Sequence, residues 1–311
     1  MIPIDMLLDE SLLSIFDFYV GFYANEDNPT KRGTEKWQTL VHVCRRWRII
    51  VFGSPRRLNL RLYCHDTTPA KDTLDVWPAL PIIIEGGATP GTNDIIAVLS
   101  HNDRVCRIEL RKFSHSRLKD LLPVMLVSFR ELTVLRLGAY EFGEAMSVPD
   151  SFLGGSAPRL RTLELDSVPF PGLPKLLLSA THLVHLHLSG ILPSGYISPE
   201  EMVACLSMLT SLEELSLQFS RHLRHLFPPI QSSRPPKRST LPALTSFIFK
   251  GLTEYLEDLV ARIDTPRLDE LSIDFFNGIG TPQLRQFIGR RPTLEKIYVT
   301  GPILSNRNPN D

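Results

Sequence analysis

The chain has 311 residues, 43% of them hydrophobic, with 34 Lys+Arg against 34 Asp+Glu. That length and apolar content can build one large domain or two modest ones. The charge balance gives no global field toward nucleic acid or an anionic membrane, so neither is expected as a partner. Cys44, Cys64, Cys106 and Cys205 lie too far apart for a C-x-x-C metal or redox motif, and a chain of this size needs no disulfide staples, which points to a reducing compartment.

In chain order, the opening "MIPIDMLLDESLLSIF" carries Asp5, Asp9 and Glu10 inside an apolar run and no basic leader, unlike a secretory signal. No apolar run approaches the roughly 20 residues needed to span a bilayer. An intracellular protein, in the cytoplasm or nucleus, is therefore expected. Residues 1–54 read as a helical unit made of "LLDESLLSIFDFYVGFY", a polar break "ANEDNPTKRGT" and "EKWQTLVHVCRRWRIIVFG". Pro29 and Gly33 mark the break as a loop. At its centre, "LVHVCRRWRIIVF" joins two apolar runs through a Cys, three arginines and a Trp. Such a pattern fits a helix that covers the end of a core, or a docking module, or both at once.

From residue 55 to 311 the chain repeats itself. "LTVLRL" (132–137), "LRTLEL" (160–165), "LVHLHL" (183–188) and "LEELSL" (212–217) share the form L-x-x-L-x-L. "VCRIEL" precedes them, and "LTSFIF", "LDELSI" and "LEKIYV" follow as looser copies. With "LNLRLY" and "LPIII" included, the central positions are Leu60, Ile83, Ile108, Leu135, Leu163, Leu186, Leu215, Phe247, Leu271 and Ile297, at intervals of 23 to 32 residues. Each interval has room for a strand, a turn and a returning helix. "SPEEMVACLSML" starts with a capping box from Ser198 and Glu201 and has Pro199 in the first turn, and "TPQLRQFI" repeats the form with Thr281 and Pro282. "TNDIIAVLS", "LKDLLPVML" and "EYLEDLVARI" occupy equivalent places, with Pro123 expected to shorten the second.

Repeated L-x-x-L-x-L hexads at this spacing resemble a leucine-rich-repeat solenoid over roughly residues 58 to 300. The implied fold class is α/β, with parallel strands on the concave face and helices on the convex face. Where that family has Asn three residues beyond the last Leu, this chain has Tyr140, Val168, Ile191 and Ser220, so uneven turns are expected. In the hexad, the fourth and sixth residues point inward, and the third, fifth and seventh alternate onto the open face. This gives a candidate substrate-binding set of Arg107, Glu109, Arg136, Glu164, Asp166, His185, His187, Glu214 and Gln218. Down the fifth-position column, Glu109, Arg136, Glu164 and His187 form a charge ladder whose members either neutralise one another or meet a partner protein.

His185 and His187, with Glu164 and Glu214 on adjoining strands, could in principle ligate zinc. No other metal pattern occurs, and neither a G-x-S-x-G, a phosphate loop nor an H-E-x-x-H is present, so no metal, no cofactor and no catalytic residue are expected. "EGGATPG" reads as a turn and "FPPIQSSRPPKRSTLP" as a solvated loop. After "LEKIYV" come only twelve residues, in which Ile303 and Leu304 are expected to fold back as a minimal lid over the last strand.

The first 54 residues resemble the F-box, whose pattern runs L-P-x-E-x-L-x-x-I-F, then a spacer, then L-x-x-V-C-R-x-W-R. Leu7, Leu8, Glu10, Leu12, Ile15 and Phe16 match the first half; Leu40, Val43, Cys44, Arg45, Trp47 and Arg48 match the second. Leu8 stands where the family has Pro, and the spacer is longer than usual. With "FGSPRRLNLRL" and "DTLDVWPALP", the chain is similar to the F-box-like proteins numerous in mushroom-forming fungi. The resemblance implies a non-enzymatic substrate receptor of a Skp-cullin-F-box ubiquitin ligase. Leu7, Leu8, Leu12, Leu13, Ile15, Phe16, Val43, Cys44 and Trp47 would serve adaptor binding and helix packing, and the repeats would hold an unknown substrate protein. The alternative is a leucine-rich-repeat scaffold with no ligase role.

Overall fold

The computed structural model describes residues 6–21, 36–65, 69–87, 91–140, 147–226, 238–277, 280–291 and 294–301. The centre of "EGGATPG", most of the Pro-rich loop, the polar break after residue 21 and the lid expected at Ile303 and Leu304 lie outside them.

Among the described residues, the N-terminal unit has three helices: α1 (Asp9–Gly21), α2 (Lys36–Val43) and α3 (Arg45–Gly53). The apolar run through "VHVCRRW" reads as continuous, yet Cys44 is extended at φ −158°, ψ 169° and separates α2 from α3. Two arginines stabilise the break. Arg48 Nε donates to the Val41 carbonyl at 3.0 Å, satisfying the end of α2, and Arg46 donates to Asp9 and to the Leu7 carbonyl, tying α3 to the start of α1. Trp47 packs on Phe16 with ring centroids 4.7 Å apart.

Ten parallel strands then follow in one sheet, in chain order: β1 (Leu62–His65), β2 (Ile82–Gly86), β3 (Val105–Phe113), β4 (Val134–Ala139), β5 (Thr162–Asp166), β6 (His185–Ile191), β7 (Glu214–Phe219), β9 (Ser246–Gly251), β11 (Glu270–Phe275) and β12 (Lys296–Thr300). A separate parallel pair joins β8 (Ser239–Thr240) to β10 (Ile263–Asp264). Helices in the connections are α4 (Ala70–Leu74), α5 (Thr92–Leu99), α6 (His115–Leu121), α7 (Leu173–Ser179), α8 (Pro199–Leu206), α9 (Thr253–Arg262) and α10 (Pro282–Gly289). Parallel neighbours require such crossovers, which the spacing of the hexads supplies.

Register places Ile84, Ile108, Leu135, Leu163, Leu186, Leu215, Phe247, Leu271 and Ile297 in one row. All but Ile297 are buried. Two assignments at the start of the sheet shift. The first strand begins at Leu62, so the row continues to Cys64 rather than Leu60. In β2 it is Ile84, because Ile83 pairs with Tyr63 and Arg107 on the other face. Three consecutive isoleucines carry no alternation, so the sequence could not choose between the faces.

The connections are uneven. Register shifts interrupt β2/β3, β3/β4 and β6/β7. In β6, Gly190 adopts φ +58°, and a Cβ there would stand 2.3 Å from Ser167 Oγ, so a side chain at this crossing would be strained and would displace Ser167. α6 gives way to a 3₁₀ turn at Leu122–Met125, where Pro123 removes the donor that would continue it. The capping box of α8 forms as read, whereas Thr281 makes no side-chain cap on α10. Glu257 of α9 accepts from the Gln283 and Leu284 amides at 2.8 Å instead, a carboxylate against the positive end of the helix.

One apolar core runs from Leu12 and Phe16 through the strand rows to Phe287. Trp37 joins the helical unit to the sheet: it is buried, its Nε1 donates to the Arg61 carbonyl at 3.3 Å, and its ring lies 5.0 Å from that of Trp77.

Candidate functional site

The nine residues assigned to the helical unit separate by exposure. Leu12 and Phe16 are fully buried, and Leu7, Leu13 and Trp47 pack partly buried against the core. Leu8, Ile15, Val43 and Cys44 are exposed, Leu8 at 75% and Ile15 at 48%. The structure adds Phe18, at 71%, and Ile49, at 62%. Ile15 and Phe18 lie three residues apart on α1. Their spacing was readable, but in the sequence an exposed apolar residue looks the same as a buried one. Several large apolar side chains of the helical unit are thus exposed in this chain.

The sheet face opposite the buried rows carries the second set. Register aligns Glu109, Arg136, Glu164 and His187 across β3 to β6. Arg136 bridges Glu109 at 3.1 Å and Glu164 at 2.9 Å. Arg107 approaches Glu109 at 3.4 Å, and Arg111 approaches Glu164 at 3.2 Å. His185 Nδ1 and His187 Nε2 both face Glu214 Oε2, at 3.0 and 3.3 Å. Asp166 is exposed and accepts from the Ser167 hydroxyl, while Gln218 donates to Ser216 Oγ at 3.0 Å. From Arg107 to Glu164 the ladder is thus a chain of partly exposed ion pairs, which fixes side-chain positions more than it adds stability.

Glu164 is the register neighbour of His187, but its carboxylate pairs with Arg136 and Arg111 while both histidines face Glu214. Among the described residues, no group of three or more His, Cys, Asp or Glu side chains is arranged to hold a metal ion. The buried cysteines are poor nucleophiles: burial pushes the Cys64 and Cys205 thiols up to about 11, and raises that of Cys106 despite Arg61. No described helix is long and apolar enough to cross a membrane. A scan against protein-family models and a search of the curated proteins found no match for this chain.

Proposed function

We propose that the chain is a substrate receptor of a Skp-cullin-F-box type ubiquitin ligase, in which the helical unit docks the Skp-type adaptor and an irregular leucine-rich-repeat solenoid recruits the substrate protein. The observation that carries this reading is the set of exposed apolar side chains Leu8, Ile15, Val43 and Ile49, on a helical unit whose buried residues join the core of the sheet. "VCRRWR" supplies the scaffold: Arg46 and Arg48 hold the helices together, Trp47 packs on Phe16, and Val43 and Cys44 are left outside.

The role of the chain is non-enzymatic and intracellular. Bond formation belongs to other subunits, and the receptor contributes proximity, raising the effective concentration of substrate near a charged ubiquitin-transfer enzyme. A plain scaffold with no ligase role is favoured by the way Trp37 ties the helical unit to the first strands, as a cap would. The two roles use different residues: capping uses Trp37, Leu12 and Phe16, docking the exposed Leu8, Ile15, Val43 and Ile49.

Co-purification with a recombinant Skp-type adaptor tests the reading. The wild-type chain is expected to co-elute with the adaptor, and a Leu8→Asp/Ile15→Asp variant to elute alone with an unchanged circular dichroism spectrum. A wild-type chain that does not bind the adaptor would leave the scaffold reading standing.

A further inference from the structure

The last strand differs from every other strand of the sheet. Register pairs Leu271 with Ile297 and Ile273 with Val299, yet Leu271 and Ile273 are at most 1% exposed, while Ile297 is 44% and Val299 52% exposed. Tyr298, on the opposite face, is 55% exposed. Apolar side chains therefore face water on both sides of one edge strand. Among the described residues, no strand pairs with the outer backbone edge either. The Lys296 amide donates inward to the Asp269 carbonyl at 3.0 Å. By strand alternation, the amides and carbonyls of Ile297 and Val299 then point away from the sheet. Natural edge strands are usually blunted by charge, Pro or a covering element; here only Lys296 is charged.

We infer that this edge pairs with the same edge of a second copy, β12 antiparallel to β12, about a two-fold axis at Tyr298. The sequence "KIYVT" is self-complementary in that register. Ile297 meets the partner's Val299 with outward amides and carbonyls facing each other, so the two symmetric pairs exchange four backbone hydrogen bonds. Tyr298 meets its own copy as a non-hydrogen-bonded aromatic pair. Lys296 meets Thr300, so no like charges oppose one another. An isologous contact needs this self-matching. Shifting the axis by two residues, to Lys296 or Thr300, would remove two of the apolar pairings, and an axis at Lys296 would put two ammonium groups face to face. The pairing leaves the helical unit free.

The test uses the full chain carrying Cys44→Ser, which removes the exposed free thiol. Sedimentation across a concentration series is expected to give twice the chain mass, returning to the monomer mass in Tyr298→Lys, which opposes like charges at the axis. Because Tyr298 is exposed, that variant should keep its circular dichroism spectrum. Tyr298→Cys is expected to form a covalent dimer on oxidation, since opposed non-hydrogen-bonded residues lie about 4.5 Å apart, within disulfide reach. Thr300→Cys should not, being more than about 13 Å from its copy. A chain that stays monomeric throughout, a Thr300→Cys cross-link equal to that of Tyr298→Cys, or dimers that appear only after deletion of residues 302–311 would each overturn the inference. Adaptor binding measured separately on the chain with Cys44 intact keeps its failure distinct from failure of the receptor reading.

Discussion

The helical unit and the open face of β3 to β7 are both built from side chains that reach solvent, but they present opposite chemistry. On α1 to α3, large apolar groups remain in water, so covering them releases free energy in proportion to the area buried. On the sheet face, Glu109, Arg136, Glu164 and Glu214 already have charged or imidazole partners. A partner there must replace existing ion pairs or bridge them, and gains selectivity more than affinity. The difference teaches where tight binding would be sought: under the proposed receptor reading, the constitutive partner goes to the helices and the selected one to the sheet.

The largest expected effect separates core from surface within the helical unit. Phe16→Asp buries a carboxylate against Trp47 with no cation beside it in the described contacts, and should unfold α1 to α3, read as lost helical signal together with lost adaptor binding. Leu163→Ala, in the buried row of β5, should cost about 2 to 5 kcal/mol in a denaturant titration because it leaves a cavity in a close-packed layer. An intermediate loss is expected at alkaline pH. The Cys64 and Cys205 thiols stay neutral in the fold up to about 11, while in the unfolded chain they ionise near the ordinary 9.0. Their contribution is present below about pH 9 and is lost as the pH rises toward 11, so the thermal midpoint should fall across that window, and less so in Cys64→Ala/Cys205→Ala. Smallest is Glu164→Ala, one residue from Leu163, which should cost under about 1 kcal/mol because its pairs with Arg136 and Arg111 are half-exposed. Equal costs for Leu163→Ala and Glu164→Ala would remove the two-face assignment of the sheet.

How far the sequence could be read follows from how strongly each pattern constrains the chain. From Ile108 to Leu271, leucines at the fourth and sixth positions of the hexads predicted the buried rows, because slipping by one residue would expose the whole set. "LNLRLY" and "LPIII" were ambiguous for the same reason: apolar residues at adjacent positions satisfy two registers. The Cys44 break was invisible because Cys ends no helix by itself, and the groups that stabilise it, Arg46 and Arg48, reach back to α1 and α2. Thr281 looked like a cap because local spacing allowed it, but Glu257 arrived from a neighbouring helix. For the candidate surfaces, sequence supplied the members of the charge ladder in order. It could not say that Arg136 serves two carboxylates, nor that both histidines choose Glu214, since those outcomes depend on side-chain reach across strands.

The most direct measurement is calorimetric titration of a Skp-type adaptor into the wild-type chain, Ile15→Asp and Glu164→Ala, each first matched for thermal midpoint. The receptor account predicts saturable binding by wild type and Glu164→Ala alike, and loss of at least about a hundredfold in affinity for Ile15→Asp, whose carboxylate would be buried at the contact without a partner. Equal affinity for all three folded chains, or no binding by wild type, would contradict it.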